Sequence, residues 1–154
     1  MAQTRIVLRK KWWQKNYHIY DGQNQIVAYS EVPSLFSLSI NIYSVDKQLL
    51  IQLRRDLLAS NKYQIFKGSR VIGRFRASWT GTKYYLELQD SKIYELRKSG
   101  WGKKIEITSS GKSLGLISSQ SSMFNEVGAV AEGLDALILS ACVIAIAMIK
   151  RNSS

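Results

Sequence analysis

His18 is the only histidine of the chain and Cys142 its only cysteine, and neither sits in a pattern that makes it reactive. A histidine base needs a nucleophile within reach and a third group to orient it; nothing near His18 signposts either, and it falls on the outward side of the run Tyr17-His-Ile-Tyr20. Cys142 lies inside an apolar stretch with no histidine on the same segment, which suits a packing residue and not a thiolate. The sequence holds no CxxC pair, HExxH, P-loop or dinucleotide fingerprint. Its acidic residues are scattered singly among lysines, so neither a metal site nor any other cofactor is expected. With no catalytic residue to name, the chain reads as non-enzymatic.

The residues that can do chemistry are cationic and aromatic. Lys and Arg number 22 against 11 Asp and Glu, a formal charge of +11, which favours anionic partners through an attraction that salt screens. Three groups concentrate it. Arg9, Lys10, Lys11, Trp12, Trp13 and Lys15 form a basic aromatic run near the N-terminus. Arg54 and Arg55 can meet Arg74 and Arg76 if neighbouring antiparallel hairpins bring their outward faces together. Arg97, Lys98, Trp101, Lys103 and Lys104 surround a Trp-Gly turn. Lysines near an anionic membrane contribute ~1 kcal/mol each, and an indole seats at headgroup level. The plainer reading of each group is a solvated strand face or an aromatic cap on a barrel mouth. Trp12, Trp13, Trp79 and Trp101 could equally serve as a stacking surface for single-stranded nucleic acid, but the cations are spread over many strands without a nucleic-acid motif.

These groups are carried by short alternating segments. Ile6 and Leu8, with Trp12, lie opposite Arg5, Arg9 and Lys11 in a first strand. Five hairpins then follow, 17–30, 38–54, 62–77, 84–97 and 104–117, with turns marked by Gly22, Asp46, Gly68, Asp90 and Gly111. Such a regular cadence is an all-β signature. Pro33, the only proline, falls in a connection, where a missing amide proton costs least.

A period of two puts Tyr17, Ile19, Leu38, Ile40, Ile42, Leu49, Ile51, Leu53, Tyr63, Ile65, Val71, Gly73, Phe75, Tyr84, Leu86, Leu88, Ile105 and Ile107 on the inner face. Asn41, Gln52, Arg54, Gln64, Arg74, Arg76, Glu87, Lys104 and Glu106 are expected in water. These strands number eleven, and Ser122–Asn125 is a candidate twelfth. Val127–Gly133 is expected as a lead-in that starts the final helix early or passes under the rim.

That helix is the stretch Leu134–Ile149, apolar at almost every position and closed by Lys150-Arg151. A helix greasy all round needs an apolar jacket. At roughly 24 Å it matches the height of a small barrel and falls short of the ~20 residues a bilayer needs, so a buried core helix is expected over a tail anchor. Asp135 and Lys150 sit at the favourable ends of its dipole under either reading. About twelve strands close to a radius of ~12 Å, enough for one tightly packed helix about 10–12 Å across. Ala136, Ser140, Ala141, Ala145 and Ala147 ease the fit, with the Ser140 hydroxyl bonded to the Ala136 carbonyl. The N-terminus lacks the apolar core and cleavage site of a secretory leader, so a cytoplasmic location is expected, peripheral at the inner membrane face if lipid is the ligand.

The hairpin cadence around Gly22, Asp46, Gly68, Asp90 and Gly111, followed by Gly133-Leu-Asp-Ala-Leu and the apolar segment, resembles the tubby C-terminal-like superfamily, which includes the tubby domain, the phospholipid scramblases and the plant LURP-one-related proteins. The resemblance implies one mainly β domain over 1–154: a closed antiparallel barrel of about 12 strands around a central C-terminal helix at about 133–150. Its members are associated with phosphoinositide binding in tubby and with lipid movement in scramblases. Neither a tubby-type phosphoinositide motif nor an acidic calcium loop can be placed on these residues. Three readings stay open: a non-enzymatic module for anionic phospholipid or phosphoinositide headgroups, a structural or protein-interaction domain, and, less favoured, a single-strand nucleic-acid binder. The oligomeric state is not legible.

Overall fold

The computed structural model describes residues 3–11, 13–32, 38–99, 103–119 and 125–152. Trp12, Pro33, Trp101 and the Ser122–Phe124 part of the expected twelfth strand lie outside them. Twelve strands run in chain order: β1 Gln3–Arg9, β2 His18–Asp21, β3 Ile26–Glu31, β4 Ser39–Ser44, β5 Leu49–Asp56, β6 Ala59–Lys67, β7 Arg70–Ala77, β8 Lys83–Leu88, β9 Ile93–Ser99, β10 Lys104–Ser109, β11 Lys112–Ser119 and β12 Glu126–Glu132. The helix α1, Ala136–Asn152, follows. Each strand pairs antiparallel with its neighbours, and β1 closes the barrel on β12 from Gln3↔Glu132 to Arg9↔Glu126.

The sheet wraps the helix because its inward positions are predominantly apolar, and the buried Ser30 hydroxyl among them accepts the Tyr17 N–H at 2.9 Å. Ile6, Leu8, Ile19, Ile42, Leu53, Ile65, Leu86, Ile105 and Ile107 are fully buried, and they share one core with Leu139–Ile146 of α1. The helix starts where Asp135 Oδ1 accepts the Ile138 N–H at 2.8 Å, an N-cap. Gly133, at φ 78°, makes the corner from β12, and the Thr4 hydroxyl donates to the Leu134 carbonyl at 2.7 Å. Ser140 is buried with its hydroxyl on the Ala136 carbonyl at 2.7 Å, as expected. Among the described residues no helix is long and apolar enough to cross a membrane.

Four expectations need correction. The twelfth strand is Glu126–Glu132, where a lead-in was expected, while Asn125 forms a bend. Val127, Ala129 and Ala131 of this strand face the core; their small side chains let Gly115 of β11 approach so closely that a Cβ on Gly115 would lie 2.7 Å from the Ala131 Cα. Leu49 is 51% exposed because a bulge opposite Ile42/Tyr43 pairs Tyr43 with Leu49 and turns Leu50 toward the core instead. A matching bulge at Ile65/Phe66 leaves Val71 only half-buried and packs Ile72 inward. Asn41, expected in water, is buried: it accepts a hydrogen bond from Gln52 Nε2 at 2.8 Å and donates to the Tyr43 hydroxyl at 3.0 Å.

An up-and-down barrel places alternate connections at opposite ends. The tight turns marked by Gly22, Asp46, Gly68, Asp90 and Gly111 therefore share one end with the Gly133 corner. The links β5–β6 and β7–β8, the described residues between β1 and β2, the end of β9 and the start of β10 lie at the other, together with the C-terminal end of α1.

Candidate basic surface at the helix-exit end

All three cationic groups run to the exit end. Arg9 and Lys10 end β1, Arg54 and Arg55 lie near the end of β5, Arg76 near that of β7, Arg97 and Lys98 near that of β9, and Lys103 and Lys104 lead into β10. Each sits there because the strand that carries it points that way. Their engagement differs. Arg9 pairs with Glu126 at 3.5 Å, donates to Asn24 at 3.1 Å and covers the Tyr20 ring at 4.8 Å. Lys10 donates to the Asn125 side chain at 3.2 Å. Lys11 lies 5.3 Å from the Trp13 ring centroid, and Lys15 lines a cleft with Trp13 and Tyr29. Arg97 is tied to Glu95 at 3.0 Å, a carboxylate that Lys83 also holds at 3.2 Å. These hydrogen bonds from Arg97 and Lys83 keep the Glu95 carboxyl below its usual range.

Of the second group, Arg54, Arg74 and Arg76 share an outer wall, whereas Arg55, which was expected to join them, pairs with the buried Tyr63 on the opposite face of β5. On the outer wall of β5 to β8, Arg54 faces Gln64, Gln64 faces Arg74, and Lys62 faces Arg76. They line a groove of about 640 Å³ with Arg55 and Tyr85. The Arg54 guanidinium lies over Phe66 at 4.2 Å and that of Arg76 over Tyr85 at 4.4 Å, which holds both in place. Arg55 reaches toward the barrel mouth, its Nε buried without an acceptor. There its charge opposes the burial that pushes the Tyr63 hydroxyl pKa up.

At the helix exit, burial lowers the pKa of Lys98. Burial, and then the charge of Lys98, lowers that of Lys150. Lys98 lies 5.2 Å from the Tyr84 ring centroid; the Tyr84 hydroxyl is buried without a partner, and burial pushes it up to about 12. Two lysines are thus brought together at the mouth at the expense of their hydration.

The sequence reading named Trp13 and Trp79 but missed the two leucines that complete the apolar part of this surface. Leu58 is 97% exposed, Trp79 86%, Leu57 81% and Trp13 61%, and they project from three connections at the exit end. The adjacent leucines of Asp56-Leu-Leu-Ala59 were the available signal, since a turn has no need of them. Lys62 was also missed, although it is two residues from Gln64 and must share its face. Cys142 is buried, its thiol pKa pushed up by burial, and His18 is exposed on β2. Among the described residues no three of His, Cys, Asp and Glu gather as a metal site would require.

No curated protein matches the chain. A solved structure of a protein from Arabidopsis thaliana is similar in fold, with a TM-score of 0.73 at 14% identity over 97% of this chain and 93% of that one. The family model described as LURP-one-related matches residues 4–147, and with nearly the whole barrel inside that match, the chain belongs to the LURP-one-related family.

Proposed function

We propose that this chain is a non-catalytic binding module that seats the exit end of its barrel on an anionic phospholipid surface, peripherally and on the cytoplasmic side. The observation that carries this reading is the coincidence, at one end of the molecule, of the most exposed apolar side chains with lysines and arginines. Charge alone gives a weak, salt-screened attraction. Leucine and tryptophan at the tips add burial of about 1.5–3 kcal/mol for a fully inserted leucine, and indoles favour the headgroup region. Trp79 is also offered on an ordered turn: the Ser78 N–H donates to Lys83 O at 2.8 Å, the Gly81 N–H to Ser78 O at 3.0 Å, and the Thr80 and Thr82 hydroxyls bond at 2.9 Å. Little ordering entropy is then lost on insertion.

Sedimentation with vesicles tests this. Binding to phosphatidylserine-containing vesicles is expected to fall steeply with salt and to be weak on neutral phosphatidylcholine. The double substitution Lys10→Glu and Lys11→Glu should weaken it at least about tenfold. Equal binding to both vesicles, or none to either, overturns the reading. The second outcome moves the surface to a protein partner, or to single-stranded nucleic acid if that is retained at the same salt.

A further inference from the structure

The register of β6 and β7 holds an arrangement that folding alone does not favour. Lys62 and Arg76 are directly opposed on the outer wall, and like charges in that position destabilise a sheet. Two residues along, Gln64 opposes Arg74. Lys62, Gln64, Arg74 and Arg76 are therefore the corners of a rectangle about 5 Å across the strands and ~7 Å along them, with three cations and one primary amide. Among the described residues no ion pair or hydrogen bond engages these four side chains, and only Arg76 has a ring partner, Tyr85. Glu87 faces Arg74 from β8 but forms no ion pair with it. Arg54 flanks Gln64 on the other side, and the exposed leucines Leu57 and Leu58 line the same groove.

We infer that this rectangle binds the terminal phosphate of a phosphomonoester. Its span suits one phosphate group, not an extended polyanion. A monoester brings three terminal oxygens and close to two negative charges at neutral pH, matching the donors of two arginines, a lysine and an amide. A phosphodiester brings two such oxygens and one charge, and leaves two of the three cations uncompensated where a monoester leaves one. The second ionisation of a monoester lies near pH 6, while the cations stay charged, so affinity rises with pH through that value. The same chemistry can come from a lipid with a monoester headgroup or from a free phosphate ester. The inference goes past membrane docking and stands without it.

The test uses the full chain. Backbone amide NMR with glycerol 3-phosphate should show shifts centred on residues 62–64 and 74–76 and an affinity that increases from pH 5.5 to 7.5. Dimethyl phosphate should bind at least about tenfold more weakly, as should glycerol 3-phosphate to the variant with Lys62→Gln and Arg74→Gln. Vesicles of phosphatidic acid and phosphatidylserine, matched in surface charge, separate the sources. A preference for phosphatidic acid that this variant loses identifies the lipid, and no preference leaves the free ester as the ligand. The variant with Trp79→Ser, a residue outside the groove, should lose vesicle binding while keeping the free ester, so membrane docking and the phosphate site fail separately. Equal affinity for both soluble phosphates, shifts centred elsewhere, or full affinity in the Lys62 and Arg74 variant overturns the inference.

Discussion

The two ends of the barrel close the same sheet with different materials. At the turn end the links are short and polar, and they use left-handed backbone: Asn24, Lys47, Gly68, Ser91, Ser110 and Gly111 all have positive φ. Ser110–Gly111, with φ of 52° and 79°, supplies the two positive angles that a two-residue hairpin needs to match strand twist. Apolar side chains near that end, Val45, Leu49 and Ile93, are about half exposed at 54, 51 and 54%. The exit end instead exposes Leu58 and Trp79 almost fully and crowds Lys98 against Lys150. One end is composed as folding requires; the other carries side chains that the fold alone would not select.

Three changes sharpen or break that contrast. The largest effect should come from ending the chain after Gly133, which removes the filling common to both ends: far-ultraviolet circular dichroism should lose the sheet spectrum and the cooperative thermal transition. A truncated chain that keeps both would show that the helix is not the core. Next, Gly111→Ala meets no neighbour within 4 Å, so its cost is the left-handed backbone alone, about 1 kcal/mol or ~2–4 °C in Tm for a chain of this size. Calorimetry should register that loss with vesicle binding unchanged; lost binding at unchanged Tm would mean that the turn end docks too.

The smallest effect concerns Lys98. Its folded pKa lies below the ordinary lysine value because burial disfavours the charge. Between the folded and unfolded pKa values the unfolded chain binds more protons, so stability rises with pH across that window. Tm measured up to pH ~10.5 should climb in the native chain relative to Lys98→Gln. Parallel curves would show that the exit-end lysine is not strained.

What was legible followed from how local each signal is. Turn residues and period-two alternation are read within a few positions, so ten strands of five hairpins came out in place, and the meeting of Arg54 with Arg74 and Arg76 followed from pairing alone. Glu126–Glu132 was not legible because glycine and alanine give weak alternation; those residues are small on account of Gly115 and the helix, neighbours distant in the chain. Leu49 and Val71 turned out of register because a bulge is a property of two strands together. The Lys62–Arg76 opposition was missed for the same reason. It depends on the pairing offset after the bulge at Ile65/Phe66, which no single segment encodes.

The seam between β1 and β12 also sets an order of events during synthesis. A ribosome delivers β1 first, yet its partner arrives more than a hundred residues later, and the apolar helix that every hairpin must surround comes after that. The nascent hairpins have nothing to enclose until the helix emerges, so cooperative folding waits for that segment, and contacts this distant make closure slow. The design that leaves the mature sheet without a free edge therefore leaves the growing one with edges exposed throughout translation, the interval in which this protein should depend most on chaperones.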